Sequence, residues 1–187
     1  MKNSIQLLSI ISIFLCVISC KQEDVLPTDN SIKDGSGNVY TEVKIGEQIW
    51  LKEDLATEKY IDGTFIHSSL YDNKGTSGYY YSYLIDFNSI CPEGYKVPTK
   101  SDIEKLIVYF GGDKLDESQI LDAYVNTWNG NPNGNGDGII NQGSGLYWTS
   151  TNGPTGYYHF YFRTINAGLS VQTYGSKSSF HIKCIKR

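Results

Sequence analysis

The sequence predicts an α+β domain that is rich in strands and loops, and three observations carry that expectation. The chain has fifteen Tyr, three Trp and nineteen Gly against one Met and five Pro, a balance that favours pleated, half-buried strands and tight turns over long aliphatic helices. Apolar residues recur at spacing two near both ends of the domain, and at helical spacing in its middle. Turn clusters separate these runs.

Asp34-Gly35-Ser36-Gly37-Asn38 is the first turn cluster. Val39, Thr41, Val43 and Ile45 then alternate on one face, Gly46-Glu47 makes a tight turn, and Gln48-Ile49-Trp50-Leu51 resumes as a second strand. Residues 56–78 read as loop, punctuated by Asp62-Gly63, Asp72-Asn73 and Lys74-Gly75. Tyr79 to Ile85 reads as an aromatic strand or the start of a helix.

After Pro98, Thr99 caps a helix, with Asp102 three residues on in the capping-box position. Ile103, Leu106, Ile107 and Phe110 fall at helical spacing, and Gly111-Gly112 stops it. A second helix is expected over Glu117 to Trp128, with Ile120, Leu121, Tyr124 and Trp128 on one side. Residues 129–145 form a Gly/Asn loop. The rest reads as strands over 146–150, 157–165, 169–174 and 180–186, with Phe180, Ile182 and Cys184 sharing a face.

The N-terminus carries an export signal. Lys2 supplies positive charge, Ile5 to Ile18 is mostly apolar, and at about 14 residues that run is short for a bilayer span. Val17-Ile18-Ser19-Cys20 resembles a bacterial lipobox, in which the Cys receives a lipid and becomes the new N-terminus. Lys21-Gln22-Glu23-Asp24 is similar to the surface-export signal of Bacteroidota lipoproteins. The expected organisation is a signal peptide over 1–19, a lipid-anchored polar tether over 20–33, and a domain over 34–187. Stable anchoring needs more than one acyl chain, which the lipoprotein resemblance implies. The expected location is the bacterial outer membrane, facing outward, with the membrane as first partner through Cys20.

Loss of residues 1–19 leaves 168 of the 187 residues, enough for one core, and loss of Lys2 takes the net charge from −4 to −5. An acidic chain without a Lys/Arg cluster argues against nucleic acid as partner. Cys16 leaves with the signal and Cys20 takes the lipid, so Cys91 and Cys184 remain as an even pair in an oxidising compartment. A bridge is the expectation, and two free buried thiols are the alternative.

Five motifs stand in order. They are Val43-Lys44-Ile45-Gly46-Glu47-Gln48-Ile49-Trp50-Leu51, Gly78-Tyr79-Tyr80-Tyr81-Ser82-Tyr83, Cys91-Pro92-Glu93-Gly94-Tyr95-Lys96-Val97-Pro98-Thr99, Tyr147-Trp148-Thr149-Ser150-Thr151, and Ile182-Lys183-Cys184-Ile185-Lys186. This order resembles the Fibrobacter succinogenes major paralogous domain of secreted Bacteroidota and Fibrobacterota proteins, over about residues 34–187. The resemblance implies a C-type lectin-like fold related to formylglycine-generating enzymes, with a twisted antiparallel sheet, one or two helices, long loops, and a Cys91–Cys184 pair. The Asn-rich stretch before Tyr147 departs from the apolar Gly-Phe segment usual in that family.

No catalytic spacing involves His67, His159 or His181, and neither a Gly-x-Ser-x-Gly elbow nor a His-Glu-x-x-His motif occurs, so no enzyme is expected. Asn133, Asn135, Asp137, Ile139 and Asn141 follow the order of an EF-hand calcium loop, but position 12 is Ser144 and Asp137 is the only carboxylate. A bare Asn/Gly turn is the simpler reading, calcium is the one candidate cofactor, and no other is expected. Tyr157, His159 and Tyr161 share one side of a strand whose other side is Tyr158, Phe160 and Phe162. One side must be core, so the first set, joined by Trp148 and Tyr174, is the candidate platform for stacking sugars. The alternative is that these aromatics simply pack. The expected function is a non-enzymatic binding or adhesion module, with extracellular glycan as the leading ligand. The rival is a structural or assembly accessory protein bound to an envelope partner.

Overall fold

Gly46 adopts a left-handed φ of 59°, which lets the chain reverse within two residues. The strands it joins, β3 (Glu42–Ile45) and β4 (Gln48–Leu51), pair antiparallel from Ile45 opposite Gln48 to Glu42 opposite Leu51, as the sequence predicts. The computed structural model describes residues 31–72, 78–130, 133–134, 144–163, 166–173 and 178–187. The folded unit runs from Ser31 to Arg187.

Ahead of this hairpin, β1 (Ile32–Lys33) pairs with β2 (Val39–Tyr40). Ile32 and Lys33, expected in the tether, therefore belong to the fold. Asp34 organises the turn between these strands, accepting from the Ser36 and Asn38 backbone amides and from the Tyr40 hydroxyl at 2.6 Å. That hydroxyl bond draws Tyr40 inward and leaves Val39 exposed. The expected single face of Val39, Thr41, Val43 and Ile45 breaks at Thr41, whose amide and hydroxyl both bond the Glu53 carboxylate.

The middle of the chain adds β5 (Tyr71–Asp72), β6 (Tyr80–Ser82) and β7 (Tyr95–Lys96). Helix α1 (Lys100–Tyr109) starts as the sequence predicts. The Thr99 hydroxyl accepts from the Asp102 amide at 3.2 Å, and the Asp102 carboxylate accepts from the Thr99 amide at 2.8 Å. Ile103 and Leu106 are buried, with Ile107 and Phe110 packed beside them. Helix α2 (Glu117–Leu121) is shorter than expected, because Asp122–Thr127 widens into a π-turn and the Trp128 amide bonds the carbonyl of Ala123. The wider turn still delivers Ile120, Ala123, Tyr124 and Trp128 to one core.

The remaining strands are β8 (Asn133–Gly134), β9 (Ser144–Asn152), β10 (Gly156–Arg163), β11 (Asn166–Thr173), β12 (Ser179–Phe180) and β13 (Ile185–Lys186). Among the described residues, four sheets result, in the orders β1-β2, β11-β10-β9-β8, β12-β6-β5 and β3-β4-β13-β7; of these strand pairs only β8 with β9 is parallel, and an isolated parallel bridge joins Tyr147 to His181. This is an α+β architecture of mainly antiparallel sheet with two short helices. Among the described residues, no helix is long and apolar enough to cross a membrane.

Two hydrophobic cores flank the β9–β10 pair. Trp148 joins the first, with Leu51, Tyr81, Ile90 and Phe180. Tyr147, Phe160 and Phe162 join the second, with Trp50, Ile103, Tyr124 and Trp128. The Cys91–Cys184 disulfide closes across the first core with Cα atoms 6.0 Å apart. It ties the residue just before β13 to the segment leading into β7.

Replacing Cys91 and Cys184 together by Ala lowers the unfolding free energy by about 2–4 kcal/mol, read from urea melts of the two proteins. Thr99→Ala costs about 1 kcal/mol in the same assay, the usual loss for an N-cap.

Candidate functional site

Alternation along β9 and β10 places side chains on two faces, and both faces contribute buried residues, Trp148 and His159 on one and Tyr147, Phe160 and Phe162 on the other. Trp148 is 0% exposed and its indole N–H donates to the Tyr81 carbonyl at 2.6 Å. His159, 8% exposed, lies 4.8 Å from the Phe180 ring centroid. Tyr157 packs edge-on against Phe87 at 4.9 Å. Of the expected platform, Trp148 and His159 are enclosed, while Tyr157 and Tyr161 are half-buried. Trp148 and His159 belong to the core and present no ring face to a sugar. Tyr161 is half-buried, with its hydroxyl over Gly168 across the sheet and the Arg163 guanidinium 5.3 Å from its ring. Tyr174 lies outside the described residues, as does Cys20.

The same holds for Asn135, Asp137, Ile139 and Asn141 of the calcium candidate. Asn133 is described by its backbone alone, in β8. Among the described residues, no group of three or more His, Cys, Asp or Glu could hold a metal ion.

The structure does form an open concavity, between α1 and the β3–β4 turn, with a volume of about 440 Å³. Its apolar floor comes from Ile45, Val108 and Tyr109, and Glu47, Gln48, Glu104 and Lys105 supply polar groups. Gln48 fixes the hairpin to the helix by donating to the Asp102 carbonyl at 2.9 Å. Tyr109 packs on Gly46, where an added Cβ would meet the ring at 2.8 Å. Glycine is thus required twice at this turn, for its positive φ and for the ring's approach. The helix sends Ile103, Leu106, Ile107 and Phe110 inward, so Val108 and Tyr109 face out at 75% and 59% exposure. A second concavity of about 310 Å³, reaching Lys186 and Arg187, shares Glu47, Gln48 and Lys105 with the first. The sequence holds one cue to this groove. Val108 and Tyr109 are apolar yet fall off the helix's inward stripe.

The other feature beyond sequence reasoning is a sealed polar cluster. Lys183 and Asp54 pair at 2.8 Å, with side chains 0% and 1% exposed. The pair is an ionic contact out of hydrogen-bond alignment at Asp54 Oδ1, while Lys183 Nζ donates to the Lys52 carbonyl at 2.8 Å. Asp54 Oδ2 accepts from the Tyr147 hydroxyl at 3.1 Å and lies 3.9 Å from His181 Nδ1. Burial holds the His181 imidazole below its usual pKa, against the pull of Asp54. Burial likewise takes His159 down to about 4, with the Arg163 charge adding to the shift.

A disulfide-stapled α+β domain with a Thr99-capped helix, an aromatic double core and a strand, β13, returning beside the β3–β4 hairpin defines the class. The model of the Fibrobacter succinogenes major domain matches residues 43–181, and the chain belongs to that family. No curated protein and no solved structure matches the sequence significantly.

Two buried neutral imidazoles give a pH dependence. Unfolding frees them to bind protons below their ordinary pKa near 6.5, which the folded state resists. Stability is thus complete above pH 6.5 and falls as pH drops toward the folded values. The His159 shift alone corresponds to about 3 kcal/mol once pH reaches 4. Urea melts between pH 7 and 4.5 read this slope, and His159→Phe flattens it.

Proposed function

We propose that this chain is an outward-facing lipoprotein of the bacterial outer membrane, held by a lipid on Cys20, and that its domain is a non-enzymatic binding module for extracellular glycan. The domain is a C-type lectin-like version of the α+β architecture in this reading. The observation that carries it is the Tyr109 ring, backed on one side by the Gly46 turn and 59% exposed, beside Glu47, Gln48, Glu104 and Lys105. A fixed aromatic face supplies stacking at low entropic cost, and a few flanking polar groups supply direction. This is the composition a sugar ring needs, with apolar C–H faces and hydroxyls around its edge. The groove takes the place of the sheet platform, whose members Trp148 and His159 are enclosed. The tether and lipid leave such a module free to sample material outside the cell.

The mature chain carrying Cys20→Ser is applied to a glycan array. Binding that falls about tenfold in Tyr109→Ala supports the reading, a loss near 1.4 kcal/mol of stacking. Silence across the array, together with an envelope protein co-purifying with the lipidated chain, favours the structural or assembly role instead. Protease shaving of intact cells removes the domain if it faces outward and leaves it intact if it does not.

A further inference from the structure

Lysine and aspartate are almost never both dry inside a protein, because desolvating two charges offsets most of their attraction. Lys183 and Asp54 are both dry, and nothing in the groove reading uses them. We propose that the two side chains become joined by an amide bond between Lys183 Nζ and Asp54 Cγ, formed inside the folded domain without a cofactor.

The geometry supplies what such a condensation needs. Nζ stands 2.8 Å from Oδ1, so the amine is held directly beside the carboxyl group it would attack. The backbone fixes both partners: Leu51 N–H donates to the Cys184 carbonyl and Leu55 N–H to the Ile182 carbonyl, bracketing Lys183 and Asp54 from both sides. The Trp128 ring lies 5.3 Å from Nζ, and Tyr147 and His181 close the opposite side, so water is kept out. That enclosure removes the water that would otherwise stabilise both charges. His181 Nδ1 faces the Tyr79 carbonyl at 3.1 Å and therefore carries its hydrogen there.

The balance is simple. One proton passes from the Lys183 ammonium to Asp54 Oδ1. The Nζ–Cγ bond forms, the Cγ–Oδ1 bond breaks, and a second proton from Nζ leaves with Oδ1 as water. The Tyr147 hydroxyl donates to Oδ2, the oxygen that remains as the amide carbonyl, and steadies the charge that gathers there during attack. The product is the pair less one water, and it carries no buried charge.

Intact-mass measurement of the full mature chain carrying Cys20→Ser, after reduction of the disulfide, is the test. The expected mass is lower than the sequence mass by one water. Proteolysis then yields one branched peptide containing both Asp54 and Lys183, with no tryptic cut after Lys183. Asp54→Ala restores the full mass of its own sequence. A wild-type chain at full mass, cut by trypsin after Lys183, overturns the proposal. Because the readout is covalent, it does not depend on whether the groove binds glycan.

Discussion

From Phe180 to Ile185 the chain is at most 3% exposed at every residue, although it lies within eight residues of the C-terminus. A terminal segment ordinarily frays. This one cannot, because it is wedged between the two cores. Phe180, Ile182 and Cys184 enter the first core and Ile185 the second. Its backbone bonds Leu51, Leu55, Leu146 and Trp148, elements from both ends of the domain. The disulfide at Cys184 and the charge pair at Lys183 attach to the same stretch. The domain therefore depends on residues 180–185, and the long loop closed by Cys91 and Cys184 is where a covalent link restrains the unfolded chain most.

The buried pair is the costliest part of that arrangement. Until the two are joined, removing either partner leaves the other as an uncompensated charge in an aromatic enclosure, a loss on the order of 3–5 kcal/mol. A pair kept at that cost is restricted to one register. Lys183 reaches Asp54 only when Ile182 and Cys184 bond Leu55 and Leu51, so the pair rejects a one-residue slip of the terminal strand. The groove gains from the same rigidity. Ile185, next to the disulfide, pairs with Trp50 on β4, and β4 begins at Gln48 on the groove's rim.

Much of this was legible in the sequence, where local rules apply. The Gly46-Glu47 turn, the Thr99–Asp102 capping box, the inward stripe of α1 and the even pair of cysteines each follow from a few neighbouring residues. What escaped was set by distant packing. Alternation on β10 shows that its side chains divide between two faces, but not that both faces contribute residues to a core. Aromatics at Trp148, Phe160 and Phe162 fit either arrangement, and His159 reads as wet by residue type. Lys183 and His181 escaped for the same reason, since burial of such residues is decided by partners such as Asp54, far away in sequence. The π-turn after α2 has no signal beyond Ala123 standing where the wider turn needs an inward residue. The groove joins residues 45–48 to residues 101–109, so only the exposed Val108 and Tyr109 hinted at it.

Hydrogen exchange in the native state tests most directly whether the terminal segment holds the domain together. The amides of Leu51, Leu55, Trp148 and His181 all bond to or from that segment. The account predicts that these four exchange only by global unfolding, as slowly as the centre of β10. If the His181 amide and its partners exchange far faster than β10, the C-terminal segment opens as a local tail, and the account is contradicted.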